Sequence, residues 1–64
     1  MNTRMRRFTH GARVRSNRRS PYRCAPPGSY GTVARIGREV IYVNFPAAAE
    51  LPMDPFEIDP ATPR

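Results

Sequence analysis

The chain has 64 residues, with eleven basic residues against five acidic ones for a net charge of +6. That length holds one thin-cored domain and excludes dinucleotide-binding folds and α/β barrels. No apolar run nears the roughly 20 residues that span a bilayer, and no apolar segment follows the basic start, so neither a membrane span nor a secretory leader is expected.

Residues 1–10 carry Arg4, Arg6 and Arg7 with Phe8 isolated among polar neighbours, and read as a flexible basic arm. A folded unit is expected over residues 11–59. Ala12-Arg13-Val14-Arg15-Ser16 alternates small or apolar with charged residues, the period of a half-buried strand. Ala12, Val14 and Ser16 would face inward, and Arg13 and Arg15 outward. Residues 17–30 form a long loop, rich in the turn formers Asn17, Ser20, Pro21, Pro26, Pro27, Gly28 and Ser29. Such length in a small domain often serves function, and the loop carries Arg18, Arg19 and Arg23 with Tyr22 and Tyr30.

A second strand, Thr32-Val33-Ala34-Arg35-Ile36, follows Gly31. A turn at Gly37-Arg38 leads into Glu39-Val40-Ile41-Tyr42-Val43-Asn44-Phe45, β-branched and aromatic throughout. A two-residue turn would place Val33 with Tyr42. A three-residue turn through Glu39, with Gly37 at positive φ, places Val33 with Ile41, Val43 and Phe45 and is preferred because it gathers the apolar residues. Pro46 stops that strand. Ala47-Ala48-Ala49-Glu50 is too short for a lone helix and reads as a loop tip leading into Leu51-Pro52-Met53. Asp54-Pro55-Phe56 suits one tight turn, and Glu57-Ile58-Asp59 a short closing strand. Residues 60–64 form a Pro-rich tail. The expected core is Val14, Val33, Ile36, Ile41, Val43, Phe45, Leu51, Met53, Phe56 and Ile58.

Arg13-Val14, Pro21-Tyr22, Pro27-Gly28-Ser29-Tyr30-Gly31-Thr32-Val33 and Val43-Asn44-Phe45 stand in an order that resembles small SH3-like β-barrel proteins of bacteria, phages and plasmids. More generally it is similar to KOW modules, a photosystem I accessory subunit and the barrel of the nitrile hydratase β chain. The resemblance covers about residues 11–58 and implies an all-β, five-stranded SH3-like barrel whose closure removes sheet edges. It implies no single function, because such barrels bind peptides, nucleic acids and protein surfaces. The plasmid-type dihydrofolate reductases share the barrel, but their Val-Gln-Ile-Tyr stretch is replaced here by Leu51-Pro52-Met53-Asp54.

Catalysis finds little support, and the chain is expected not to be an enzyme. His10 has no nucleophile in motif context. Cys24 lies near Arg18, Arg19 and Arg23, which favours a thiolate, yet no base accompanies it. A single Cys fits a reducing cytoplasm. Asp54, Glu57 and Asp59 lack a cation-loop spacing, and Pro27-Gly28-Ser29-Tyr30-Gly31 lacks the Lys and helix of a phosphate loop. No cofactor, metal or small-molecule substrate is expected.

Charge carries the remaining signal. Residues 1–38 hold ten Arg and no acid, whereas residues 39–64 hold all five acids and Arg64. The two halves can pair only in part, so an anionic partner is expected. The expected nucleic-acid contacts are Arg13, Arg15, Arg18, Arg19, Arg23, Arg35 and Arg38. Tyr22 would stack beside them, Tyr30 is a second stacking ring, and Arg4, Arg6 and Arg7 would follow the backbone from the arm. The alternative is a small adaptor or inhibitor, such as a phage or plasmid encodes, docking on an acidic surface of a larger protein complex. The position of Glu57 and Asp59 discriminates: if they cover Arg13 and Arg15, the adaptor gains.

Overall fold

The structure, a computed structural model, describes residues 6–61. Five strands follow in chain order: β1 (Arg13–Ser16), β2 (Tyr30–Ile36), β3 (Ile41–Phe45), β4 (Ala48–Met53) and β5 (Ile58–Pro60). They form one antiparallel sheet in the order β4-β3-β2-β1-β5. The fold is all-β, and no helix among the described residues is long and apolar enough to cross a membrane.

The inward face carries Val14, Val33, Ile41, Val43, Met53 and Ile58, each at most 1% exposed. Among the described residues no helical layer covers this face, so its side chains bury one another and the loop residues packed on it. Two bulges help, because an extra residue bends a strand and raises its twist. Ala34 is the extra residue between the pairs Val33↔Val43 and Arg35↔Tyr42. In β4 an extra residue falls opposite Asn44, where Glu50 takes φ +46° and its amide donates to Asn44 Oδ1 at 2.8 Å.

The closed barrel expected from the resemblance is not reached: β4 and β5 remain the two edges. Pro52 and Pro60, one in each edge strand, supply no N–H for a closing ladder.

The β2–β3 connection gathers the expected residues by a different route. Ile36 pairs with Ile41 across a four-residue loop closed by the Gly37 amide on Val40 O at 2.8 Å, and Gly37 has no positive φ. The bulge then restores Val33 to the face of Ile41, Val43 and Phe45. Of the expected loop tip at 47–50, Ala47 lies in the turn with Pro46 and Ala48-Ala49-Glu50 begin β4, paired to β3 from Phe45↔Ala48. Ile36 and Phe56 leave the expected core, each 40% exposed, and Leu51 is half-buried. Phe8 and Ala25 replace them at 3% and 0%.

Phe8 changes the reading of the N-terminal segment. A buried phenyl ring anchors residues 6–10 to the domain, so the expected arm is folded at least from Arg6 onward, while Arg4 lies outside the described residues. Arg7 follows the anchor and its Nη2 donates to Asp59 Oδ1 at 3.3 Å.

The long loop, residues 17–29, is tied down along its length. Ser16, buried at the end of β1, donates its hydroxyl to Pro26 O at 2.6 Å and accepts from the Ser29 amide at 2.9 Å. The Tyr22 hydroxyl donates to Pro52 O at 2.7 Å, and its ring packs against the core. Asn17 Nδ2 donates to Phe56 O at 2.8 Å, joining the loop to the Asp54–Glu57 turn. That turn matches expectation: the Glu57 amide reaches Asp54 O at 2.8 Å, and the Phe56 amide reaches Asp54 Oδ1 at 2.9 Å.

Candidate nucleic-acid interface

Strand alternation leaves the outer face of β5, β1, β2 and β3 to polar side chains. Register then sets the neighbours. Asp59, Arg15 and Tyr30 form one cross-strand row. Arg13, Thr32 and Asn44 form the next, and all six residues are exposed.

Tyr30 sits at the centre. Its ring is 48% exposed, with the Arg13 Cζ 5.1 Å and the Arg15 Cζ 5.7 Å from the ring centre. Arg15 is its direct cross-strand partner and Arg13 its diagonal one, the two placements that bring long side chains onto a ring. Each cation–π contact at an exposed site contributes roughly 0.5–1 kcal/mol, enough to bias a guanidinium toward the ring without locking it.

Gly31 lets β2 approach β3 beneath this face. A Cβ there would lie 2.7 Å from Asn44 O, 2.8 Å from Val43 Cγ1 and 2.9 Å from Phe45 Cδ1. Gly28, at φ +93°, brings the loop back toward β1 under the Arg15 guanidinium, whose Nη2 would lie 3.9 Å from a Cβ there.

The surface between these elements is grooved. A cleft of about 320 Å³ runs between Arg15, Asn17, Arg18, Gly28 and Asp59. A second, of about 270 Å³, shares Arg15 and Asp59 and adds Arg13 and Tyr30. A third, of about 280 Å³, shares Arg13 and Tyr30 and ends at Thr32, Asn44 and Pro46. The shared residues join the three into one shallow trough across four strands.

Two ion pairs form among the described residues, Arg7–Asp59 and Arg35–Glu50, both at 3.3 Å. Asp59 stands in register with Arg15, yet its carboxylate is met by Arg7 and, at 3.4 Å, by Asn17 Nδ2. Glu57 turns away, its Oε1 accepting from the Asp54 amide at 3.0 Å. Arg13, Arg15 and Arg18 therefore keep their charge uncompensated by any carboxylate within 4.0 Å among the described residues.

The expected contiguous patch is thus only partly assembled. Arg13, Arg15 and Arg18 share the trough. Arg35 is drawn off to Glu50 and lies 4.1 Å from the Tyr42 ring centre, because it pairs in register with Tyr42 past the bulge. Arg19, Arg23 and Arg38 are exposed on loops outside the three clefts, and Arg6 is exposed near the Phe8 anchor.

Tyr22 does not lie beside Arg13 and Arg15, where Tyr30 is the neighbouring ring. The Tyr22 hydroxyl donates to Pro52 O and its ring is half-buried. Thr32 and Asn44 were not expected on the face. Alternation held the signal: with Val33 inward, Gly31 also points inward and Tyr30 and Thr32 outward. Cys24 is half-buried and unbridged. No protein family, characterised protein or solved structure matches the chain.

Proposed function

We propose that the protein is a non-catalytic, SH3-like module that binds nucleic acid through the Arg13–Arg15–Tyr30 face with little sequence specificity. The SH3-like reading is supported by the strand order, a four-strand meander with a short fifth strand returning beside the first. The binding reading is carried by one observation: an exposed aromatic ring flanked by two guanidiniums that no described carboxylate neutralises. Arg meets phosphate through paired N–H donors, and an aromatic face accepts any base, a combination that gives affinity without base readout. The adaptor alternative would gain if Glu57 and Asp59 covered Arg13 and Arg15. Their carboxylates are engaged elsewhere, which favours nucleic acid. A cytoplasmic setting, consistent with the free Cys24, belongs to the same proposal.

Fluorescence anisotropy of labelled mixed-sequence oligonucleotides, titrated at several salt concentrations, tests the reading. Binding that weakens steeply with salt is expected, since each neutralised phosphate releases counterions. No binding at micromolar protein and low salt overturns it and assigns the face to an acidic protein surface.

A further inference from the structure

Resting on that reading, we infer that the trough takes single-stranded rather than duplex nucleic acid, with one unstacked base laid against Tyr30 and the strand's phosphates at Arg13, Arg15 and Arg18.

Two structural features carry this, read with the way duplexes and single strands expose their bases. Among the described residues, Tyr30 is the aromatic ring lining these clefts, and it lies on a sheet surface rather than at the tip of a protruding element. A duplex keeps its bases stacked on each other, so their faces are closed to such a ring unless the helix is opened, at a cost. A single strand offers its base faces without that cost. The described chain also presents neither an α-helix nor a two-stranded ribbon separate from its five-stranded sheet to fill a major groove.

The polar residues around the ring suit the same ligand. Thr32 and Asn44 lie in the row beside Tyr30, exposed and facing the same side. A hydroxyl and an amide can serve the Watson–Crick edge of a splayed base, which duplex pairing hides. Asn44 Oδ1 already accepts from the Glu50 amide, so its amide nitrogen is the group left to donate to a base.

Charge placement limits how the strand lies. Arg13 and Arg15 flank the ring along β1, and Arg18 continues the basic side into the first cleft. Asp59 lines the β5 side of the same trough. One wall is cationic and the other carries a carboxylate, which suits one phosphate backbone with its bases turned inward. A second backbone on that side would meet a carboxylate already paired with Arg7, not an unpaired guanidinium, and would gain little there.

The test uses the full chain and three labelled probes of equal length: a thymidine strand, a uridine strand and a DNA hairpin duplex. A fourth probe is the thymidine strand with abasic spacers in place of its bases. Single strands are expected to bind at least tenfold more tightly than the duplex at matched salt. Abasic spacers should weaken binding at least fivefold, the lower end of the ~1–3 kcal/mol per stacked base. Tyr30→Ala should produce the same loss with the salt slope unchanged, and Tyr30→Phe should retain binding. The abasic probe keeps the test decisive if Tyr30→Ala misfolds. Equal or tighter duplex binding, or abasic strands bound as well as natural ones, overturns the single-strand inference and leaves nucleic-acid binding standing. Failure of all four probes to bind overturns both.

Discussion

Gly31→Ala probes the close approach of β2 to β3, on which the binding face is built. The added methyl would meet Asn44 O at 2.7 Å, Val43 Cγ1 at 2.8 Å and Phe45 Cδ1 at 2.9 Å. The first is backbone in the β2–β3 ladder, and the other two belong to side chains 0% and 5% exposed, so none can swing aside. Three contacts under 3.0 Å put the crowding at the upper end of ~1–3 kcal/mol, and up to ~1 kcal/mol is regained because Ala narrows the unfolded ensemble, for a net loss of about 1–2 kcal/mol. At 0.05–0.15 kcal/mol per residue, a chain of 64 residues holds about 3–10 kcal/mol in total. The substitution therefore removes a large share of stability and should lower Tm by roughly 5–15 °C. Urea and thermal unfolding followed by circular dichroism measure it. Gly11→Ala is the companion variant: its Cβ meets nothing within 4 Å, but φ is +82°, so it reads backbone strain without crowding. If Gly31→Ala unfolds within about 0.5 kcal/mol of the parent, β2 does not pack on β3 as described.

Phe8→Ala should destabilise by about 3–5 kcal/mol and leave the chain largely unfolded at 37 °C, whereas a truly mobile segment would leave the urea midpoint unmoved. Ser16→Ala should cost about 1 kcal/mol rather than more, because Pro26 O and the Ser29 amide keep each other as partners at 3.1 Å; a urea midpoint identical to the parent would contradict the buried tether. Asp59→Asn removes a negative charge from the trough and releases Arg7. At an average separation of ~10 Å from two phosphates it should tighten oligonucleotide binding about twofold to fourfold at low salt, and weaker binding would argue that Asp59 positions the ligand instead.

Period-two alternation placed β1 and its outward Arg13 and Arg15 correctly, and the β-branched run from Ile41 to Phe45 made β3 plain. β4 was hidden because Ala48, Ala49, Glu50 and Pro52 have low strand propensity. The segment is a strand only because β3 offers it a ladder, and such tertiary pairing overrides local preference. Phe8 was hidden for a related reason. One aromatic residue among Arg and Thr has no periodicity, and its burial depends on a space that only the curled sheet creates. On the face itself, the antiparallel return of β2 brings Tyr30 to Arg15, a long-range pairing across fourteen intervening residues that no local pattern encodes. Tyr22 carried the same composition signal and was claimed by the core, because its hydroxyl found Pro52 O. Arg35 was taken from the patch by a bulge, which shifts facing partners by one residue.

The most direct test of the account is the salt dependence of oligonucleotide binding by the parent chain and by the Arg13→Ala/Arg15→Ala double variant. With Arg13, Arg15 and Arg18 each neutralising one phosphate of a single strand, log K should fall against log[salt] with a slope of about −2.1. The double variant should bind more weakly to every sequence, with its slope flattened by about 1.4. An unchanged slope in the folded double variant, or no binding by the parent at low salt and micromolar protein, would contradict the claim that this face neutralises phosphates.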